Sequence, residues 1–562
     1  MSGARSAQVA AGIAAGLRDA GVQRIFGMPG GGPNLDLIGA AQAQGIDFVL
    51  AHGETAACIM ASAFGRLTGT VGVAVVTRGP GATSAANGLA QATLDRFPLL
   101  LLTDTVWQAD RHRVAHQRLD QVAAAAPLAK WSGVLGATDP ARVVAGAARL
   151  ALGAPQGAVH LAVDPTVPGD RPPAPAAAVR PTAEELDRAR AVLAAARRPV
   201  VLVGVDARRY PADVRAALGP LDCPVLVTYE AAGVIPQSWP TYAGLFTGAA
   251  IERAVLDQAD VVLGIGLDPV EPMPGGWPYD VPVVLFGTHE QEGGYFGEPV
   301  LVTGSPADDL PPLVGACRSD WTPGAGVSAH RAGLAALDPR DREPGDSGTV
   351  GLGPDAGTVR LTPQDLVRLV RDHLGDAVLT VDAGAHMLVA MPLWSVEEPD
   401  RVLISNGLAT MGFALPASIG AAFARPGEPV VCLVGDGGIG MVLAELETLA
   451  RCRLDVTVVV FNDATLSLIK LKQGAGQGGE PAVGYAPIDF AAVAEGLGLQ
   501  AAVVTTPAAL SDLLGGVSGG SDVHRDGTRS AGGRPWPARG PRLVDARVDP
   551  SGYLEVLRTI RG

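Results

Sequence analysis

At 562 residues the chain is too long for one hydrophobic core, which predicts three or four domains. A hydrophobic share of 48%, only 18% charged residues and a net charge of −14 describe a well-buried globular protein. They argue against nucleic acid or an anionic membrane as the main partner.

In chain order, the first 22 residues lack the uninterrupted apolar stretch of a signal peptide. No later run approaches the roughly 18 apolar residues of a membrane span. Short apolar runs then alternate with helical stretches, the pattern of an α/β protein. A first domain, residues 1–168, holds the strand candidates FVLA, VGVAVVT, PLLLLT and AVHLAV. The proline-rich stretch 164–181 follows, in which no helix can persist. Thr182, with Glu185 three residues on, predicts a capping box that opens a central domain, 182–335. Its strand candidates are PVVLVG, PVLVTY, VVLGIG and PVVLF. A second linker, 338–357, leads to a third domain, 360–562, with Thr362 as helix cap and Pro363 at the first helical position. Its strand candidates are AVLTV, PVVCLV, VTVVVF and PRLVDARV, and the Gly/Arg-rich stretch 515–540 reads as a mobile surface insertion. The five cysteines are scattered with no C-x-x-C pair, so reduced thiols in a cytoplasmic protein are expected.

The chemistry concentrates in VVCLVGDGGIG, Val430 to Gly440, whose last six residues spell G-x-G-x-x-G. A dinucleotide site relies on bare backbone N–H groups, yet the second residue here is Asp436, which would repel a pyrophosphate. A divalent cation between the two anions removes the conflict, and Mg²⁺ is usually held by one or two carboxylates plus substrate phosphates. The following strand ends in Asn462-Asp463, 27 residues after Asp436, and adjacent parallel strands deliver their ends to one crevice. An acidic residue there also suits a nicotinamide-dependent dehydrogenase, which stays as a remote alternative, but that reading leaves Asp436 unexplained.

The two-part motif GDGGIGMVLAELETLARCRLDVTVVVFND resembles that of the thiamine-diphosphate-dependent enzymes of the acetolactate synthase and pyruvate decarboxylase group. The segment from Glu54 to Asp104 resembles their pyrimidine-binding domain, and ISNGLATMGFALPASIGAAFA the stretch that grips the aminopyrimidine. Asp463 where most members have Asn, AHQRLDQVAAAAPLAKW, and LDQADVVLGIGLDPVE in the central domain point to the flavin-independent catabolic acetolactate synthases. The resemblance implies three doubly wound α/β domains with parallel sheets: pyrimidine-binding, central and diphosphate-binding.

It further implies thiamine diphosphate and Mg²⁺ as cofactors. Glu54 would be the catalytic carboxyl that hydrogen-bonds the aminopyrimidine, although a carboxylate at a helix start is also favoured by the dipole. Asp436, Asp463 and the Thr465 carbonyl would hold Mg²⁺; Gly435, Gly437 and Gly438 would meet the diphosphate, supported by Gly384, Ala385 and His386. Ala409 would contact the aminopyrimidine through its backbone, Leu466 would flank the cofactor, and Met411 is either the wedge that bends it or a core methionine. His116 and Gln117 are either active-site groups or ordinary polar residues, and RGPGAT, with Gly79 to Thr83, is either structural or substrate-facing. One departure is His52-Gly53 where the family usually has Arg-His before its glutamate. The implied reaction decarboxylates a 2-oxo acid, pyruvate first, and ligates the acyl carbanion to a second 2-oxo acid or carbonyl acceptor, giving 2-acetolactate or a related product. A decarboxylase, or a carboligase of specialised metabolism with another donor or acceptor, is the alternative. A homodimer or homotetramer with active sites between subunits is implied as well.

Overall fold

The β-branched runs fold as the strands of three separate sheets. The computed structural model describes residues 2–272, 275–291, 293–337, 360–474, 476–518, 529–530 and 539–561. The first sheet comprises β1 (Arg24–Met28), β2 (Asp47–Leu50), β3 (Gly72–Val76), β4 (Leu99–Asp104), β5 (Trp131–Leu135) and β6 (Ala158–Val163). They lie in the order β2-β1-β3-β4-β6-β5, all parallel. The second holds β7 (Pro199–Val203), β8 (Val225–Val227), β9 (Tyr242–Leu245), β10 (Val261–Ile265), β11 (Val283–Gly287) and β12 (Val300–Thr303). Their order is β12-β11-β10-β7-β8-β9, again parallel throughout. The third contains β13 (Val378–Val381), β14 (Val402–Ile404), β15 (Val430–Gly435), β16 (Val456–Asn462), β17 (Gln500–Val504), β18 (Arg529–Ser530) and β19 (Arg542–Arg547). Its order is β14-β13-β15-β16-β19-β17-β18, parallel except for the two-residue β18.

Parallel strands covered by helices on both faces are buried on both faces, which explains continuous apolar runs such as β3, β4 and β10 with every residue buried. The four strand runs expected in each domain are present. The sequence reading missed β1, β5, β9, β12, β14, β17 and β18, and five of these lie at sheet edges. An edge strand needs no continuous apolar run: β12 leaves Leu301 40% exposed.

Both predicted caps form. Thr182 and Glu185 exchange side-chain and backbone hydrogen bonds, as do Thr362 and Asp365. Residues 171–182 carry no helix or strand, as their prolines require. The linker 338–357 lies outside the described residues. Of the expected insertion 515–540, the first four residues instead finish the helix Pro507–Ser518, and Arg529–Ser530 pair with β17. Residues 519–528 and 531–538 lie outside the described residues.

The three sheets meet at one buried ion cluster. Arg66, on the helix Glu54–Thr68, pairs with Glu230 and with Asp400 (2.9 Å), and Arg208 lies 3.5 Å from the same Asp400. Burial pushes Glu230 up to about 7 against the pull of Arg66. Breaking one partner of such a cluster costs ~3–5 kcal/mol, because a buried charge is left alone. No helix among the described residues is long and apolar enough to cross a membrane.

Candidate active site

Strands β13, β15 and β16 are neighbours, so the turns that follow them arrive at one edge of the third sheet. They border a cavity of about 550 Å³, lined by Gly384, Ala385, His386, Ala409, Met411, Gly435, Asp436, Gly437, Gly438, Asp463, Thr465 and Leu466. Every residue assigned above to the diphosphate, the aminopyrimidine grip or the metal is therefore gathered at one place.

The two acids are tied to each other by the backbone. Asp436 Oδ1 accepts from the Gly437 amide (2.6 Å), and Oδ2 accepts from the amides of Asp463 (3.2 Å) and Thr465 (3.3 Å). The Thr465 amide also donates to Asp463 Oδ1 (3.1 Å), and the Ser467 hydroxyl donates to Asp463 Oδ2. Burial, then the neighbouring Asp463 charge, lifts Asp436 to about 6, and burial raises Asp463 as well. A carboxylate whose proton affinity is raised by burial and by a neighbouring carboxylate is relieved by a cation. No group of three or more His, Cys, Asp or Glu that could hold a metal occurs among the described residues. A metal here must therefore draw further oxygens from a carbonyl and from phosphate, which is how Mg²⁺ is commonly bound. The Thr465 carbonyl accepts from Ser467 N (2.8 Å) and keeps a second lone pair.

The rest of the cavity also suits a phosphorylated, partly apolar ligand. His386 is buried, stacked on Phe461 with 5.2 Å between rings, and burial holds it down to about 4, so its ring is neutral. Its Nε2 is buried without a hydrogen-bond partner among the described residues. A Cβ at Gly438 would stand 1.9 Å from Asp382 Oδ2, so only glycine fits there. One at Gly437 would meet Leu466 Cδ2 at 2.7 Å and Met411 Cε at 3.3 Å, which brings Met411 and Leu466 to the same turn.

Two residues that the sequence reading missed suspend the segment carrying Ala409 and Met411. Asp382, fully buried, accepts from the amides of Gly412 (3.0 Å), Phe413 (2.7 Å) and Ala414 (3.3 Å), and burial lifts it to about 6. Asp95, at the end of the helix Ala86–Leu94 in the first domain, accepts from Gly407 (2.7 Å) and Leu408 (3.0 Å). Between these anchors Ala409 adopts φ 53°, a left-handed backbone that is rare for a residue with a side chain. A carboxylate directly after an apolar strand, as in TVDAG, was the available signal for Asp382. The lining residues Tyr229, Phe246, Thr247, Val270, Glu271 and Pro272, which follow strands of the central sheet, were not foreseen either.

Glu54, His116 and Gln117 lie elsewhere, since no residue of the first sheet's domain lines this cavity. Glu54 starts its helix, half-buried, with Oε1 3.3 Å from where a Cβ on Gly81 would stand. Gln117, at φ 55°, holds its Cβ 2.9 Å from the corresponding point on Gly79. The RGPGAT loop thus joins Glu54 to Gln117, and buried Gln121 anchors it by accepting from Gly79 N (3.0 Å). His116, beside Gln117 in the chain, is exposed. At the departure noted above, the His52 and Gly53 amides donate to Glu445 Oε1 (2.9 and 3.1 Å), clamping the start of Glu54's helix onto the third domain.

Residues 7–124 match the family described as thiamine pyrophosphate enzyme, N-terminal TPP binding domain; residues 186–283 match its central domain and 382–519 its C-terminal TPP binding domain. The acetolactate synthase of Bacillus subtilis (strain 168) is 31% identical, over 96% of this chain and 93% of its own. The catabolic acetolactate synthase of Raoultella terrigena is 31% identical over 89% and 91%, respectively. The isozyme 3 large subunit of Escherichia coli (strain K12) acetolactate synthase is 30% identical over 89% and 90%. With the acid pair, the glycine turn and all three domains accounted for, the chain belongs to the thiamine pyrophosphate enzymes, as a carboligase of the acetolactate synthase kind.

Proposed function

We propose that the protein decarboxylates pyruvate and joins the two-carbon remainder to a second pyruvate, giving 2-acetolactate, with thiamine diphosphate and Mg²⁺. The observation that carries the cofactor reading is the tied Asp436–Asp463 pair, with Asp436 buried in the glycine turn and Asp463 half-buried after the next strand, both bordering the cavity. Likeness to acetolactate synthases over nearly the whole chain supports ligation over plain decarboxylation.

Asp436, Asp463 and the Thr465 carbonyl would hold the metal, and the Gly437 and Gly438 amides with His386 would hold the diphosphate. Bound thiamine diphosphate supplies a nucleophilic thiazolium carbon and the electron sink that lets carbon dioxide leave a 2-oxo acid. Glu54 would share a proton with the aminopyrimidine N1′, and Gln117 would orient substrate from the RGPGAT loop. Met411 would bend the cofactor, and the Ala409 backbone would grip its pyrimidine. The central-domain wall would keep water from the reacting carbon, where capture by an acceptor must outrun protonation.

Glu54 lies outside the cavity, so we infer that a complete site pairs this cavity with the first domain of a second copy. Exposed Leu50 and Leu119 on one half, and Met441, Tyr485 and Ile488 on the other, would be covered in such a homodimer. Mixing inactive Glu54→Gln and Asp436→Ala proteins tests this, because exchange of subunits would regenerate one intact site per dimer; no recovered activity after demonstrated exchange would refute it. All five cysteines are unpaired, which supports a reducing compartment such as the cytoplasm.

Product analysis tests the reaction itself. Pyruvate with both cofactors should yield chiefly acetolactate. Acetaldehyde as the main product would make the protein a decarboxylase, turnover only of other 2-oxo acids would change the donor, and activity without thiamine diphosphate would sink the reading.

A further inference from the structure

A groove of about 220 Å³ lies far in sequence from the residues of the active site, between the helix Pro140–Leu152 and the proline-rich segment that leaves the first domain. One face of this helix presents Arg142, Gly146 and Arg149 at positions i, i+4 and i+7, with Gly153 at its end. The glycines let the proline segment close on the helix. A Cβ on Gly146 would stand 2.9 Å from Pro172 Cγ, and one on Gly153 would stand 2.8 Å from Pro175 Cβ. The segment is also fastened upstream, where Ala137 N donates to Val167 O (2.8 Å) and Asp170 N to Val134 O (2.8 Å). The groove is therefore built by backbone pairing and close packing.

Three arginines, Arg142, Arg149 and Arg171, line this groove, each exposed. None makes a side-chain hydrogen bond or ion pair to another described residue, in a protein whose net charge is −14. The only carboxylate in the lining, Asp139, is used as the helix cap, accepting from the Arg142 amide (3.4 Å). Three arginines against one lining carboxylate leave the groove an excess of positive charge, which a multivalent anion balances. Planar guanidinium forks match phosphoryl oxygens in particular, where one carboxylate would occupy a single arginine. The volume falls below the roughly 300–1,000 Å³ of drug-sized sites, so the ligand is small.

We propose that this groove binds a phosphoryl group, carried by a small phosphate ester or as free phosphate, between the helix of the first domain and the start of the interdomain segment. Arg142 and Arg149 hold it from the helix, Arg171 from the segment, and Pro172 faces the body of an ester.

The test uses the full chain saturated with thiamine diphosphate and Mg²⁺, which closes the diphosphate site to the probes. Glycerol 3-phosphate, inorganic phosphate and uncharged glycerol are titrated by calorimetry. Glycerol 3-phosphate should bind saturably, one per chain, and more weakly as salt rises, because the arginines are exposed. The double variant Arg142→Gln/Arg149→Gln should melt at the wild-type temperature and bind about tenfold or more weakly. Tighter binding of the ester than of phosphate identifies an ester ligand, and equal binding identifies free phosphate. The proposal is overturned if neither anion binds saturably, if glycerol binds as well, or if the double variant binds like wild type. None of these readouts depends on turnover, so the outcome is separate from that of the proposed reaction.

Discussion

The central and third sheets offer the same kind of crevice and treat it in opposite ways. Each chain segment starts in mid-sheet, builds outward on one side, then returns to the other: β7 through β9 before β10, and β13 and β14 before β15. Such a reversal opens a crevice outside the carboxyl ends of the two strands where it occurs. In the third sheet that crevice is the cavity of about 550 Å³ with its acids and glycine turn. In the central sheet it is filled from within. The Glu271 carboxyl accepts from the Val205 amide through both oxygens (3.0 Å each) and from the Asp268 amide (3.0 Å). What stays open beside it measures about 10 Å³, room for no more than a single water. Two sheets of one architecture thus differ in what stands at the strand ends: a carboxyl that fills the crevice, or a glycine turn that leaves it open.

The comparison breaks most directly at Asp436. Asp436→Ala should weaken binding of thiamine diphosphate with Mg²⁺ by more than about 100-fold, since even an outer partner of a metal ligand is worth 10–100-fold. Calorimetry reads this, and unchanged affinity would remove the metal from the open crevice. Chelation followed by gel filtration should likewise abolish activity, with recovery on adding Mg²⁺ and cofactor together.

Glu54→Gln tests the part of the site that neither crevice contains. Cofactor should still bind, while exchange of the thiazolium C2 proton slows by about 10²–10⁴, the usual worth of a general acid–base group. Exchange at the wild-type rate would strip Glu54 of its role.

A smaller effect is expected at Ser467, whose hydroxyl holds Asp463. Ser467→Ala should weaken Mg²⁺-dependent cofactor binding about tenfold by freeing that carboxylate. No change would mean that the Thr465 amide alone positions it.

The closed crevice gives the mildest prediction. Glu271→Ala leaves the Val205 and Asp268 amides buried and unpaired, so stability should fall by ~1–3 kcal/mol in denaturant unfolding, while Glu271→Gln keeps an acceptor and most of the stability. Burial lifts Glu271 to about 8 from 4.5, against the pull of its donors. The folded state therefore keeps a proton that the unfolded chain releases, and wild type loses stability as pH rises across that interval. Glu271→Gln should flatten that part of the pH profile; parallel profiles for the two proteins would show that Glu271 does not titrate there.

The amino-acid sequence by itself determined the α/β class, the buried parallel strands, both helix caps and the acid-bearing glycine turn. These are local statements, since β-branched runs, a cap three residues from its partner and an aspartate inside a glycine turn act within a few residues. Only the tertiary structure decided five of the six edge strands, the anchoring of the Ala409 segment by Asp95 across 312 residues to Gly407, and the filling of one crevice by Glu271. It alone shows that Glu54 stands outside the cavity that gathers the other candidates. The physical reason is that a carboxylate's role depends on which donors surround it and how dry they leave it. Here those donors come from separate strands and separate sheets.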